Sequence, residues 1–359
     1  MKIKQEDIFL RYCAKRRLDD AGEKIKEILS PDLNWAYFLE KARINLLLPI
    51  VYKSLLKFSE LNGLIPFQIQ ESLKSSYYST YSRNIFCTAQ LKNIISNFEA
   101  ENIPTIIFKG IMLAELIYGD IGLRGCADID LLVRKDDLLK VNKVLRQLGY
   151  TSTYSDGYFK ELCFSYYCDS FLYFNQDKNK IPVDIHVHLS NNRHLPHTLD
   201  MEDIWQKAQP IDLRGISLYT FSQEHLLIYL AMHAVNHCFY PLILLCDINE
   251  LLLRYMSGGF AWDNLMKEAE KTGLYKQLYY ALFLSSQILD TPLPEGLLQN
   301  LTPRKISIFE KRFLSTVLRA KSVFTGEGWV YLGMRDNLKE RLMFLYHAIK
   351  GRFGNLSCW

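Results

Sequence analysis

Three carboxylates and one lysine in the middle of the chain have the spacing to do chemistry together. Asp128 and Asp130 lie two apart in Asp128-Ile129-Asp130-Leu131-Leu132-Val133. In a strand, that period sends both carboxylates to one face and Ile129, Leu131 and Val133 to the other. Two like charges on one face repel, and a divalent cation resolves the repulsion. Mg²⁺ suits the task, because it prefers oxygen ligands and is held by one or two carboxylates together with substrate phosphates. Asp184 starts a second alternation, Val183-Asp184-Ile185-His186-Val187-His188-Leu189, with Asp184, His186 and His188 on one face. If this run lies beside 128–133, three carboxylates converge on one edge of a sheet. That is the equipment of a two-metal site, which clamps the attacking and leaving oxygens of an in-line phosphoryl displacement.

Phe108-Lys109-Gly110 stands at a strand-to-helix junction. A glycine there lets the backbone approach a ligand closely, and the following helix N-terminus offers N–H groups to a phosphate. Lys109 adds a point charge aimed at the same group. Taken singly, a D-x-D run also suits a solvated strand face, and a Lys-Gly pair is commonplace. The joint order carries the reading: strand, Lys-Gly, helix, strand with D-x-D, then a later strand with one Asp.

The elements that must position these residues are legible around them. Residues 1–100 read as helices, with a helix start at Pro31-Asp32-Leu33-Asn34 and a long uninterrupted pattern from about 69 to 100. Thr105-Ile106-Ile107-Phe108 is a short β-branched and aromatic run, the signature of a buried strand. Residues 111–118 are helical, and 119–127 form a loop with three glycines. Asp136 is placed to cap a helix carrying Leu138, Val141, Leu145 and Leu148 on one face, which Gly149 ends. Residues 150–154, 162–174 and 181–189 read as strands, with 175–180 as a polar turn. From Ser222, a second N-cap, the chain is helical to the end, punctuated at Pro241 and by turns at Gly258-Gly259, Pro292–Gly296 and Gly326–Gly328. The organisation expected is a helical N-terminal region (1–100), an α/β core (101–215) and a helical C-terminal region (216–359).

Composition narrows the class. The 359 residues are 49% apolar and 23% charged, which excludes a disordered or fibrous chain. A net charge of +4 is too mild for a dedicated nucleic-acid stripe, so long nucleic acid is a disfavoured acceptor. The charged start does not read as a signal peptide, and no window of about 18 apolar residues reads as a membrane span. The eight cysteines form no C-x-x-C pair and read as reduced thiols. A cytoplasmic setting is expected.

The ordered motifs resemble the nucleotidyltransferase superfamily typified by DNA polymerase beta. More closely, they resemble the uncharacterised bacterial nucleotidyltransferase family. Lys109-Gly110, Tyr118, Leu123-Arg124, Asp128-Ile129-Asp130-Leu131-Leu132-Val133 and Val183-Asp184-Ile185-His186 carry that likeness. A later His233, His237 and Asp247 extend it, so that it spans roughly residues 70–255. The resemblance implies an α+β fold, a small mixed-sheet nucleotidyltransferase core flanked by N-terminal and C-terminal helical regions. It also implies transfer of an NMP from an NTP to an unidentified hydroxyl-type acceptor, with Mg²⁺ or Mn²⁺. Asp128 and Asp130 would bind both metals, Asp184 the catalytic metal, and Gly110 the triphosphate. His186 joins Lys109, Gly110 and Arg124 in the expected nucleotide-binding set. Lys109-Gly110 stands where many superfamily members have Gly-Ser, so no serine hydroxyl is available and Lys109 is the candidate replacement.

Other residues admit two readings. Arg124 can neutralise triphosphate charge as a planar fork, or pair with Asp128 or Asp130. His225, Tyr229, His233 and His237 share one helix stripe. They read as buried histidines or one wall of the cleft rather than a zinc site, since the zinc-protease glutamate is missing from His-Ala-Val-Asn-His. Asp247 is a plausible partner for one of them. Two other functions compete. One is a metal-dependent hydrolase on Asp184, His186 and His188, which offer imidazole and carboxylate ligands. The other is a non-catalytic module that binds a nucleotide or a partner.

Overall fold

A computed structural model describes residues 4–15, 33–57, 63–155, 170–177, 179–189, 199–237 and 239–303, with isolated positions between and up to 314. The part of an expected strand at 162–169 and the turn at Gly326–Gly328 lie outside the described residues.

Among the described residues, four N-terminal helices come first: α1 (Gln5–Ala14), α2 (Trp35–Ile44), α3 (Leu48–Leu56) and α4 (Phe67–Ala100). Asn34 caps α2 by accepting from the Tyr37 N–H. A proline at the first turn of α3 supplies the preset φ that a helix start favours. At 34 residues and 1.5 Å per residue, α4 is about 50 Å long. Its buried stripe runs Leu73, Tyr77, Asn84, Cys87, Leu91, Ile94, Ile95 and Phe98.

The sheet has seven strands in the order β3-β4-β5-β2-β1-β7-β6. These are β1 (Thr105–Ile107), β2 (Ile129–Val133), β3 (Tyr150–Ser152), β4 (Ser170–Asn175), β5 (Val183–His186), β6 (Gln209–Asp212) and β7 (Ser217–Thr220). It is mixed: β2–β5 and β1–β7 pair in parallel, and the other neighbours are antiparallel. Every residue of β2 is buried, which explains why its sequence reads as a nearly continuous apolar run. β5 alternates buried with half-buried, so one of its faces opens toward a cleft.

The sheet continues past residue 215. Arg214 and Gly215 turn the chain with positive φ, and the Asp212 carboxylate accepts the Gly215 N–H. That hairpin returns as β7, which docks beside β1. The alternation of Leu218 and Thr220 inward against exposed Ser217 and Tyr219 was the available signal for it.

Two expectations need correction. Asp136 does not cap a helix. A 3-10 turn, Lys135–Asp137, precedes α5 (Leu138–Gln147), and the Asp137 carboxylate takes Lys140 at 2.9 Å instead. β5 ends at His186, so His188 lies beyond the strand.

A short α6 (Met201–Gln206) precedes β6, and the described part of the C-terminal region holds α7 (Gln223–Asn236), α8 (Ile243–Gly258), α9 (Trp262–Thr272), α10 (Tyr275–Leu289) and α11 (Leu297–Leu301). Ser222 caps α7 as expected. Among the described residues, no helix is long and apolar enough to cross a membrane.

The stripe of α4 does more than pack. Asn84 Nδ2 donates to the carbonyls of Ile121 and Arg124, and its Oδ1 accepts the Cys126 N–H. Arg83 donates to the carbonyls of Cys126 and Ala127. Gln90 exchanges two hydrogen bonds with Ile181, at the threshold of β5. The 119–127 loop and the start of β5 are thus tied to one helix. Replacing Asn84 with alanine strands two buried backbone groups and one part-buried one, and a buried group left without a partner costs roughly 1–3 kcal/mol. Asn84→Ala is expected to lose at least about 2 kcal/mol in urea unfolding, against less than about 0.5 kcal/mol for the exposed Lys92→Ala.

Candidate active site

The parallel pairing of β2 with β5 sets Asp130 directly opposite Asp184. Asp128 precedes β2 by one residue and shares the Asp130 face by period two. On this face Lys109 Nζ lies 2.6 Å from Asp130 Oδ1. His186 Nε2 lies 3.1 Å from that same oxygen and 3.1 Å from Asp184 Oδ2. The other Asp184 oxygen, Oδ1, is buried and accepts no hydrogen bond. None of the described lysines or arginines forms an ion pair with Asp128.

The titration behaviour follows from these neighbours. Burial alone would raise the Asp130 carboxyl, but Lys109 and His186 outweigh it and hold it well below the usual range. Burial would lower His186, yet Asp184 and Asp130 lift it to about 9. Asp128 is raised to about 6, first by burial and then by the Asp130 charge, with Lys109 only partly opposing. The site therefore holds an uncompensated carboxylate and a buried oxygen lacking a donor. Ligand atoms of Asp130, Asp184 and His186 lie within 4.8 Å of one another, a spacing that suits a divalent cation; Asp128 is not in that group. The described donor set fits a metal.

A family profile described as an uncharacterised nucleotidyltransferase matches residues 31–290, over two thirds of the chain. The chain belongs to this nucleotidyltransferase family. No curated protein matches it. A solved structure of the antibiotic-resistance factor ANT(2'')-Ia aligns with 57% of this chain and 96% of its own, at 14% identity and a TM-score of 0.36. By its family, the protein is an enzyme of the nucleotidyltransferase class.

Gly110 has φ +61°, and a Cβ there would meet Cys126 Sγ at 3.2 Å and the Asp128 carbonyl at 3.4 Å. The family's Lys-Gly turn is therefore pressed against the backbone that carries the first carboxylate. Cys126 Sγ donates to that same carbonyl at 2.8 Å.

Arg124 goes to neither Asp128 nor Asp130. Its guanidinium pairs with Asp247 of α8, Nη2 to Oδ2 at 3.0 Å, and the Tyr118 hydroxyl donates to Asp247 at 2.8 Å. Asp247 was expected beside a histidine. It instead binds the two ends of the glycine loop to the C-terminal helices. The reason is burial: a carboxylate 1% exposed needs a full charge opposite it.

His233 and Tyr229 stack on α7, and Tyr229 also meets Phe108 edge-on at 5.0 Å. Phe108 in turn meets His186 at 5.2 Å, so this stripe lines the cleft. Burial and the Lys109 charge keep the His233 imidazole well below its ordinary value, hence neutral. Among the described residues, no third ligand completes a metal set with His233 and His237.

His225, on the same stripe, belongs to another cluster. Its Nε2 lies 3.1 Å from Asp203 and 3.4 Å from Glu268, and Lys207 and Lys271 bridge the same two carboxylates. Two lysines already balance two acids there.

Sequence reasoning missed Arg83, Asn84 and Gln90. The available signal was Asn84 itself, a polar residue on the apolar stripe of a long helix.

Two outcomes follow for metal-free protein. Ionised Asp128 carries a raised pKa, so it costs stability above its unfolded pKa of 3.8, in full once pH exceeds about 6. Two units correspond to at most about 3 kcal/mol. Asp128→Asn is expected to raise the thermal midpoint at pH 8 by a few degrees (~2–4 °C), as read by calorimetry. His186 has the opposite sign. Its contribution is fully present below 6.5 and is lost as pH rises through about 9. Wild type should lose up to about 3 kcal/mol in urea titrations from pH 6.5 to 10, and His186→Asn should flatten that slope.

Proposed function

We propose that the protein moves an NMP from an NTP to a hydroxyl-type acceptor, with two Mg²⁺ ions held by Asp128, Asp130 and Asp184. One observation carries this reading: Asp130 and Asp184 are in register across a parallel strand pair, with a buried Asp184 oxygen left without a donor. When bound, the metals would supply charge neutralisation and a template for in-line displacement.

The chain's own residues do the rest. Asp184 accepts the proton of the acceptor hydroxyl. The acceptor oxygen then bonds to the α-phosphorus, the bond to the bridging oxygen breaks, and pyrophosphate leaves. Gly110 lets the backbone approach the triphosphate, and Lys109, one residue away, supplies a point charge. Phe108, Tyr229 and the neutral His233 form an apolar wall that excludes water and strengthens these charges. Arg124, held by Asp247, fixes the loop that presents Asp128.

The core at 101–215 carries the chemistry, and the helical regions on either side shape the acceptor pocket. We place the reaction in the cytoplasm, which supplies NTP and keeps the buried Cys13, Cys87, Cys126 and Cys246 reduced.

The test is label transfer from each α-³²P-NTP with Mg²⁺ into a host extract. Wild type should label a discrete species. Asp128→Ala/Asp130→Ala should lose at least about 10³-fold, or roughly 4 kcal/mol of transition-state stabilisation. Equal labelling by the double variant would sink the assignment. The size of the labelled species tells small molecule from protein or RNA.

A further inference from the structure

The position of Lys109 has a consequence of its own. It is the second residue after β1 and precedes Gly110, the turn where a triphosphate would be met. Its ammonium does not wait there. It sits 2.6 Å from Asp130 Oδ1, with 18% of the side chain exposed and 1% of the Asp130 side chain exposed. His186 Nε2 contacts the same oxygen from the β5 side. Asp130, the carboxylate nearest the centre of the three, is therefore already occupied by cations of the chain. Asp184 Oδ1 accepts no hydrogen bond.

An ammonium and a dication cannot share one carboxylate oxygen at contact distance, because they repel strongly in a partly dry site. A metal ion that takes Asp130 Oδ1 must evict Lys109. The evicted ammonium sits on a flexible four-carbon stem and can swing by rotamer change alone. The neighbouring anion for it to meet is the phosphate chain over Gly110.

We propose that Lys109 is a resident counter-ion of the metal-free site: it holds Asp130 until a divalent cation binds, and is then released to the nucleotide phosphates. Metal and nucleotide binding are thereby coupled through one side chain. The inference rests on the proposed reading of Asp128, Asp130 and Asp184 as metal ligands. It goes beyond that reading in two respects. Metal alone binds weakly, because an ion pair is broken and nothing replaces it. Nucleotide alone gains little from Lys109, because the ammonium is engaged elsewhere.

The experiment measures binding, not turnover. Mn²⁺ affinity is read by the electron paramagnetic resonance of the free aquo ion, without nucleotide, in wild type, Lys109→Met, Lys109→Arg and Asp130→Asn. Affinity for a non-hydrolysable ATP analogue, or for whichever base the transfer assay selects, is read by calorimetry in EDTA and with saturating Mn²⁺. Lys109→Met is expected to bind Mn²⁺ about 5- to 10-fold more tightly than wild type, within the usual range of coupling between sites. Lys109→Arg, which keeps the charge, should stay near wild type. In EDTA, Lys109→Met should change analogue affinity by less than about 2-fold. With Mn²⁺ it should weaken affinity by about 10-fold or more.

A lysine that always contacts phosphate would lose affinity in both conditions, and a merely structural one in neither. Either result overturns the inference. So does Mn²⁺ binding that depends on Asp130 but is equal in wild type and Lys109→Met, and in that case the metal-site reading survives. Wild type that binds no Mn²⁺ more tightly than Asp130→Asn overturns both. If Lys109→Met unfolds, Lys109→Gln in the same assays decides the matter, with the same expected shifts.

Discussion

Two parallel strands hold Asp130 and Asp184 side by side, and Asp128 shares their face. Like charges brought this close in a half-dry cleft must be compensated, and the rest of the site is organised around that need. Lys109 and His186 supply two positive charges at Asp130. They are not enough for three carboxylates. Asp128 remains without a pairing lysine or arginine among the described residues, and one Asp184 oxygen has no donor. The contrast with Asp203, His225 and Glu268 is instructive. There two lysines and a histidine meet two carboxylates, so the charges balance, although Glu268 Oε1 likewise accepts no hydrogen bond. The first cluster is built with a deficit of positive charge. The second is built as a tie between α6, α7 and α9.

A site with such internal repulsion stays assembled only if its backbone is held from outside. α4 provides that hold through polar residues set into an apolar stripe. Asn84 and Arg83 grip the carbonyls just before Asp128, and Gln90 grips the approach to Asp184. The far side is held by Asp247, whose buried carboxylate joins Tyr118 and Arg124. Both ends of the glycine loop are thereby fixed to helical regions outside the sheet. Breaking such a buried pair would leave an uncompensated charge, so these ties resist loosening.

The flanking helices therefore do two jobs. They lock the carboxylates in place, and α7 closes the cleft with Tyr229 and His233. A strained, partly unpaired constellation persists because packing around it over-determines its geometry.

The sequence by itself determined the chemical set and most of the elements. Period-two spacing put Asp128 with Asp130, and alternation put Asp184 with His186, because side-chain direction in a strand is a local property. The helix starts at Asn34 and Ser222, the end at Gly149 and the strand at 105–107 were equally local. The family motifs rest on that same local order. Only the tertiary structure decided which charges meet. Arg124 could have reached Asp128 or Asp130 by sequence distance, yet it lies against Asp247, 123 residues away. Lys109 could have pointed at a phosphate, yet it sits on Asp130. The hairpin of β6 and β7 was hidden for a related reason: its strands are four residues each and half exposed. β7 shows a brief alternation, but its place in the sheet comes from pairing with β1, and that of β6 from pairing with β7. Ion pairs and edge strands are choices among distant partners, set by burial and register, and no local spacing encodes them.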